Sequence, residues 1–145
     1  MPALNPVEEL YRDVVLDHYR NPRNRAPLAE AHGTAQVDNP LCGDQVVVEV
    51  RLEEGRIAEA SSRARGCSVV VASGSVMTEL AAGLGPGETA ALQQALESLV
   101  HGEAVPEDLD RRLRAFARVA DLPSRRRCAT LPWEALREAL RVAAA

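Results

Sequence analysis

The sequence predicts an α+β fold in which a three-stranded antiparallel sheet is packed with about five helices. Short segments with alternating apolar residues lie together between about residues 34 and 65, as expected for neighbouring strands. Segments with apolar residues at helical spacing occupy the stretch before them and the longer stretch after them. The chain has 145 residues, which suits a single domain over residues 1–145 with a core of its own.

The first half of the chain predicts one helix followed by the three strands. Apolar residues recur at helical spacing from 7 to 19, and the polar stretch 21–24, which contains proline, ends this helix. Residues 33–40 form a candidate strand that leads into a loop. Val46, Val48 and Val50 alternate with polar residues, as in a half-buried strand. A turn at 53–56 then makes residues 57–65 the returning strand of a hairpin.

The second half of the chain predicts the remaining helices. We assign 69–82 to a helix, because its later residues and the stop at Gly83 outweigh the strand preference of three consecutive valines. Apolar spacing over 92–100 marks the next helix. Pro106 fits the first turn of another helix, whose apolar residues face inward.

The few aromatic residues are expected in the core. Trp133 anchors a C-terminal helix, in which Pro132 lies in the first turn or at a kink. Tyr11 and Tyr19 are expected to pack inward from the first helix. Because the chain has only four aromatic residues, we expect no base-stacking platform for nucleic acid.

Composition and charge exclude several functional classes. The net charge of −4 argues against nucleic acid as the main partner. All 17 basic residues are arginine, which excludes Schiff-base chemistry and a phosphate-binding lysine. No apolar run approaches the roughly 20 residues that span a membrane, and the N-terminus shows no secretion signal, so we expect no membrane partner and a cytoplasmic location.

The three cysteines occupy settings that suit metal binding or thiol chemistry. An odd number of cysteines in a cytoplasmic chain disfavours a disulfide framework. Gly43 lets the backbone bend so that Cys42 and Asp44 can face the same side. Cys67 begins a predicted helix, whose dipole and free N–H groups favour a thiolate. The arginines at 125–127 are expected to favour a thiolate at Cys128 as well.

Three thiolates and one carboxylate form a complete ligand set for zinc, which accepts both donor types in a tetrahedron. The same soft sulfur donors also select iron–sulfur clusters. The spacing lacks a C-x-x-C pair, however, and a lone cysteine is most often a small core residue. These residues alone are compatible with two interpretations: a joint metal or thiol site, and three unrelated cysteines.

Five motifs follow one another along nearly the whole chain: Leu10-Tyr11-Arg12-Asp13, His18-Tyr19-Arg20-Asn21-Pro22-Arg23-Asn24, Asn39-Pro40-Leu41-Cys42-Gly43-Asp44, Gly66-Cys67-Ser68 and Cys128-Ala129. Together they resemble the IscU/NifU N-terminal family of iron–sulfur cluster assembly proteins. The resemblance implies the same α+β fold, with the cysteines meeting at one exposed end. It also implies that Cys42, Asp44, Cys67 and Cys128 bind zinc or a [2Fe–2S] cluster.

Two departures make the chain resemble the SufU branch of this family. Scaffold-type members carry a histidine directly before the third cysteine, where this chain has Arg127. They also carry a Leu-Pro-Pro-Val-Lys segment that a dedicated Hsp70 chaperone recognises, where this chain has Leu-Pro-Ser-Arg at 122–125. The longer region between Cys67 and Cys128 points the same way. Members of this branch are zinc-dependent acceptors of persulfide sulfur from a SufS-type cysteine desulfurase.

The resemblance implies a protein that acts with a cysteine desulfurase and downstream cluster-assembly proteins, not a stand-alone enzyme. We expect zinc to be held at rest, until the docked desulfurase supplies a competing zinc ligand and the released Cys42 thiolate accepts the sulfur. Arg125 and Arg127 are expected to steady the released Asp44 or to contact the partner. Two alternatives stay open: a scaffold that assembles a [2Fe–2S] cluster on the same residues, and a purely structural zinc domain.

Overall fold

A computed structural model of the chain describes residues 4–145, beginning with a helical segment at 6–20 that has a π-helical middle. Asn5 caps helix α1 (Pro6–Leu10), because its side-chain oxygen accepts a 2.8 Å hydrogen bond from the Glu8 N–H. A π-helical stretch (Tyr11–Leu16) and helix α2 (Asp17–Arg20) continue the segment to Asn21. The predicted first helix is therefore confirmed, with an irregularity that its periodicity did not indicate.

This irregularity changes which residues of the segment face the core. A π-helix closes its hydrogen bonds over five residues instead of four, so it shifts the inward face along the chain. Val14, Val15 and His18 are buried, whereas Tyr19 is 46% exposed. The prediction that Tyr19 packs into the core is therefore wrong, while Tyr11 packs partly buried against the core.

Three antiparallel strands form one sheet in the order β1–β2–β3: β1 (Gly33–Asn39), β2 (Asp44–Glu53) and β3 (Arg56–Arg65). Val46, Val48 and Val50 of β2 are fully buried, as their alternation predicts. Positive φ angles of 51° at Glu54 and 75° at Gly55 form the two-residue turn into β3. The loop from β1 to β2, residues 40–43, lies at the opposite end of the sheet.

Helices α3 and α4 follow the sheet. Helix α3 (Ser68–Ala81) packs against β3, and burial of its valines overrides their strand preference. Gly74 allows this close approach, since a Cβ there would lie 2.4 Å from Ser62 Oγ. Helix α4 (Pro86–Val100) begins where the Gly85 N–H donates to Glu88 Oε1 at 3.2 Å.

The helix predicted from Pro106 begins later than expected. Asp110 caps helix α5 (Arg111–Arg114), since its Oδ1 accepts a 2.9 Å hydrogen bond from the Arg112 N–H. Pro106 therefore lies outside the helix, and its predicted place in the first turn is wrong. Two 3₁₀ segments (Ala115–Asp121 and Pro123–Arg125) complete this region, which leads to the last helix.

Helix α6 (Arg126–Ala144) packs on the sheet against β1 and β2. Trp133 is 1% exposed, which confirms it as a core anchor. Pro132 lies inside the helix, which excludes the first turn as one of the two positions predicted for it. Proline has no N–H, so Pro132 cannot donate the helical hydrogen bond to the carbonyl of Cys128. The next carbonyl along the helix, that of Ala129, accepts a 2.5 Å hydrogen bond from the hydroxyl of Ser73 on α3. Helix α3 thus supports α6 at this irregular turn.

In the part of the chain that the structure describes, with 6–20 counted as one helix, five helices pack with the sheet, and the predicted fold class is confirmed. The buried residues of the sheet, α3, α4 and α6 form one hydrophobic core. Within residues 4–145, no helix is both long enough and apolar enough to span a membrane.

Candidate metal centre

Three donor atoms converge at the end of the sheet where β1 turns into β2. The Sγ atoms of Cys42 and Cys128 and a carboxylate oxygen of Asp44 all lie within 4.8 Å of one another. Cys42 lies in the loop between the strands, Asp44 is the first residue of β2, and Cys128 lies in the first turn of α6. The fold thus brings Asp44 and Cys128, which are 84 positions apart, to one place.

The loop before β2 makes a tight turn that presents Cys42 to solvent. The N–H groups of Cys42 and Gly43 both donate to the carbonyl of Asn39, at 3.2 and 2.8 Å. Gly43 has a φ of +71°, a conformation that glycine adopts without strain. The bend predicted at Gly43 is confirmed, and Cys42 is the exposed member of the three cysteines.

Asp44 is buried at the centre of the site. It is 2% exposed, and its two oxygens have different partners. Its Oδ2 accepts a 2.8 Å hydrogen bond from the thiol of Cys128, and its Oδ1 accepts a 3.4 Å bond from the Cys67 N–H. Gly66 leaves the space for this carboxylate, because a Cβ there would lie 2.0 Å from Oδ1.

Cys128 differs from the sequence-based expectation of a thiolate. Burial, followed by its contacts with Asp44 and Cys67, raises the pKa of the Cys128 thiol above its ordinary value. Two of the three neighbouring arginines point elsewhere: Arg126 donates to backbone carbonyls, and Arg127 lies 3.6 Å from the carboxylate of Glu134. Without a metal, Cys128 is therefore a protonated donor to Asp44.

Cys67 lies beside the three converging donors. It is the N-cap residue of α3, as predicted, and is half-buried. It lies near enough to Cys128 to contribute to the raised pKa of that thiol. The set of donor atoms within 4.8 Å of one another comprises only Cys42, Asp44 and Cys128 among the described residues. The structure therefore brings all four predicted residues to one end of the molecule and clusters three of them most tightly.

Arg125 is the arginine that faces the cysteines. Its proximity to the cysteines, first Cys67 and then Cys128 and Cys42, raises the pKa of Arg125. The side chain of Arg127 is 48% exposed and pairs with Glu134, so Arg127 lies at the edge of the site. Arg125 is thus placed to offset negative charge on the sulfur and carboxylate donors.

Tyr11 is a residue of this site that the sequence analysis assigned to the core. It lies near Ser68, the first residue of α3, and near Cys67 and Arg125. Burial raises the pKa of Tyr11, and the Ser68 contact and the nearby arginines oppose that rise. Helical periodicity places Tyr11 on the inward face but says nothing of which polar group its hydroxyl meets.

The donor set fits a zinc ion. Zinc binds thiolate sulfur and carboxylate oxygen, and Cys42, Asp44 and Cys128 offer these atoms within 4.8 Å of one another. Cys67 lies beside Cys128 and could supply a fourth donor. The thiol proton of Cys128 lies between two candidate donor atoms, Cys128 Sγ and Asp44 Oδ2, which are already in hydrogen-bond contact. A metal ion that binds both atoms would displace this proton. The same thiols also suit the iron atoms of a small cluster.

Comparison with known proteins identifies the family. Residues 10–93 match the family described as NifU-like N terminal domain. The zinc-dependent sulfurtransferase SufU of Bacillus subtilis (strain 168) is 31% identical over 131 residues, covering 90% of this chain and 88% of that protein. The iron–sulfur cluster assembly scaffold protein IscU of Streptococcus pyogenes serotype M1 is 33% identical over 140 residues, covering 96% and 87%.

Solved structures show the same fold. A SufU protein from Fervidobacterium islandicum AW-1, described as a candidate scaffold of the SUF system, matches with a TM-score of 0.83 and 25% identity. The match covers 92% of this chain and 98% of that one. The family match spans more than half of the chain and includes Cys42, Asp44 and Cys67, and relatives align with nearly all of it. The chain therefore belongs to the family of NifU-like N-terminal domains, alongside the SufU and IscU proteins.

Proposed function

We propose that this protein works in iron–sulfur cluster biogenesis as a zinc-bound acceptor of persulfide sulfur from a cysteine desulfurase. The observation that carries the proposal is the exposure of Cys42 beside two buried donors, Asp44 and Cys128. A thiol that accepts sulfur from another protein must be reachable, whereas a group that only holds a metal need not be. Similarity to the Bacillus subtilis zinc-dependent sulfurtransferase SufU supports the same role.

Cys42, Asp44, Cys67 and Cys128 would hold the zinc ion. When bound, zinc supplies the positive charge that keeps the thiols deprotonated. Three thiolates and one carboxylate exceed the charge of the ion, so the site needs a further cation. Arg125, whose guanidinium faces the cysteines, supplies it.

Cys42 carries out the transfer. Its thiolate attacks the outer sulfur of the persulfide on the desulfurase, so that a new S–S bond forms on Cys42. The S–S bond of the desulfurase persulfide breaks, and the cysteine of the desulfurase leaves as a thiolate. No external oxidant is needed, because sulfur of the same oxidation level passes from one cysteine to another. Cys128 is fully buried and cannot reach a second protein in this way.

The substitution Cys42→Ser tests this assignment. It leaves Asp44, Cys67 and Cys128 in place, so we expect zinc to stay partly bound while sulfur uptake is abolished. Uptake is measured as the mass gain of one sulfur atom after incubation with the desulfurase and cysteine. Cys67→Ser is the matched control, since it also removes one sulfur donor but leaves Cys42. Sulfur uptake by Cys42→Ser at the wild-type rate would refute the role of Cys42.

A second candidate function is a scaffold on which a [2Fe–2S] cluster is assembled as cargo. The relative IscU of Streptococcus pyogenes, an assembly scaffold protein, favours it, and the same four residues would serve. A scaffold must assemble a cluster from iron and sulfide and pass it to an apo-protein, which a sulfur acceptor need not do. Cluster transfer at a rate comparable to sulfur uptake would favour the scaffold function.

A further inference from the structure

A groove between α4 and α6 is lined by neither a cysteine nor a candidate zinc ligand. Its volume is about 300 Å³, near the lower end of the roughly 300–1,000 Å³ of small-molecule sites. Pro86, Ala90 and Gln93 line it from α4, and Trp133, Leu136 and Leu140 line it from α6. These side chains recur at helical spacing on the facing sides of two helices, so the walls are largely apolar.

One hydrogen-bond donor without an acceptor accompanies these apolar walls. The indole of Trp133 is part of the lining, and its Nε1 is buried without a hydrogen-bond partner among residues 4–145. A buried donor left unpaired costs free energy, which a ligand with an acceptor atom would recover. The indole N–H can only donate a hydrogen bond, so its partner must be an acceptor atom.

Two arginines of α6 add positive charge to the same groove. Arg141 pairs with Glu138, whereas Arg137 takes part in none of the ion pairs found within the described residues. Arg137 is therefore the guanidinium available to an incoming anion. A guanidinium binds a carboxylate through paired N–H groups, which gives both charge and geometry.

We propose that this groove binds a small amphipathic monocarboxylate, with its aliphatic tail against Leu136 and Leu140 and its carboxylate on Arg137 and the Trp133 N–H. The apolar walls require a tail, and the donors require an anionic acceptor. A groove of this volume holds a medium-length chain, not a long lipid. The site is independent of the sulfur-transfer proposal, since none of its residues is a cysteine or a candidate zinc ligand.

Trp133 provides the readout, because it is the only tryptophan of the chain. In the full-length ¹⁵N-labelled protein, its indole N–H gives a single resonance that moves when the nitrogen gains an acceptor. We expect titration with octanoate to shift this resonance with a dissociation constant on the order of 1 mM, as befits a ligand of about ten heavy atoms. 1-Octanol and acetate, which lack the charge and the tail respectively, should each bind at least about tenfold more weakly.

Exposed variants keep the test independent of folding. Arg137→Met keeps the aliphatic stem and should weaken octanoate binding about tenfold, while Arg20→Met, remote from the groove, should not change it. Ala90→Phe fills the groove from an exposed helix position and should abolish the shift. An unmoved indole resonance at saturating octanoate would overturn the proposal. Equal binding of octanol, or full affinity in Arg137→Met, would overturn the assignment of an anion.

Discussion

Replacing Gly66 with alanine would disturb the candidate metal centre without removing any of its donor atoms. Gly66 has a φ of +147°, which side chains other than glycine rarely adopt. A Cβ at this position would lie 2.0 Å from Asp44 Oδ1 and 2.9 Å from its Cγ. Two atoms cannot approach so closely, so the carboxylate of Asp44 must move away from Cys67 and Cys128.

The size of the effect follows from these contacts. Backbone strain at such a φ costs about 1–3 kcal/mol. Loss of the 2.8 Å hydrogen bond between Cys128 and Asp44 costs about 1.5–3 kcal/mol more, because the acceptor is charged. We expect Gly66→Ala to lower the free energy of unfolding of the metal-free protein by about 2.5–6 kcal/mol. A displaced ligand should also weaken zinc binding about 10- to 100-fold.

Zinc affinity is measured by competition with a chromophoric chelator, and stability by urea denaturation in the presence of EDTA. Gly83→Ala is the matched control: Gly83 has a φ of +85°, but a Cβ there meets nothing within 4 Å. It should lose about 1–2 kcal/mol of stability from backbone strain and keep its zinc affinity. Wild-type zinc affinity in Gly66→Ala would show that Asp44 is not a ligand, and would refute the reasoning.

Two further substitutions test the surroundings of the site and the first helical segment. Arg127→Ala should change zinc affinity less than about twofold, because Arg127 pairs with Glu134 at an exposed position. Arg125→Ala should lower zinc affinity about tenfold, because Arg125 faces the cysteines. Chelator competition at low and high salt compares the zinc affinities of the two variants. Burial and then the charge of Arg23 lower the pKa of His18 in the folded protein. As the pH falls, the unfolded state therefore binds this proton before the folded state does, and the free energy of unfolding should decrease below about pH 6.5. Urea denaturation of the metal-free protein at several pH values should show a smaller fall in His18→Gln, and an equal fall in both proteins would contradict this assignment.

The sheet and the cysteine loop were predictable because local patterns determine them. The alternating valines of β2 give one buried face, and the two-residue turn at Glu54 and Gly55 fixes the pairing with β3. Likewise, glycine between Cys42 and Asp44 permits the bend that brings these side chains together. Each of these features depends on neighbouring residues, which the sequence displays directly.

Other features depend on which partner a polar side chain contacts and were missed. Asp110 starts a helix after Pro106 because its side chain caps the chain there, although proline is the more familiar signal. The arginine next to Cys128 in sequence is not the one that faces it, since Arg127 turns to Glu134 and Arg125 turns to the cysteines. The sequence shows which residues lie next to Cys128 along the chain, but it does not show in which direction their long side chains point.

Zinc-dependent acceptance of sulfur is the function that we propose for this protein. The most direct test is the turnover of the cysteine desulfurase from the same organism, with and without the zinc-loaded protein. We expect strong stimulation of the desulfurase that is lost when zinc is removed and returns when zinc is restored. A desulfurase that is competent with a small-molecule thiol but unaffected by the zinc-loaded protein would contradict the claim and favour the scaffold function.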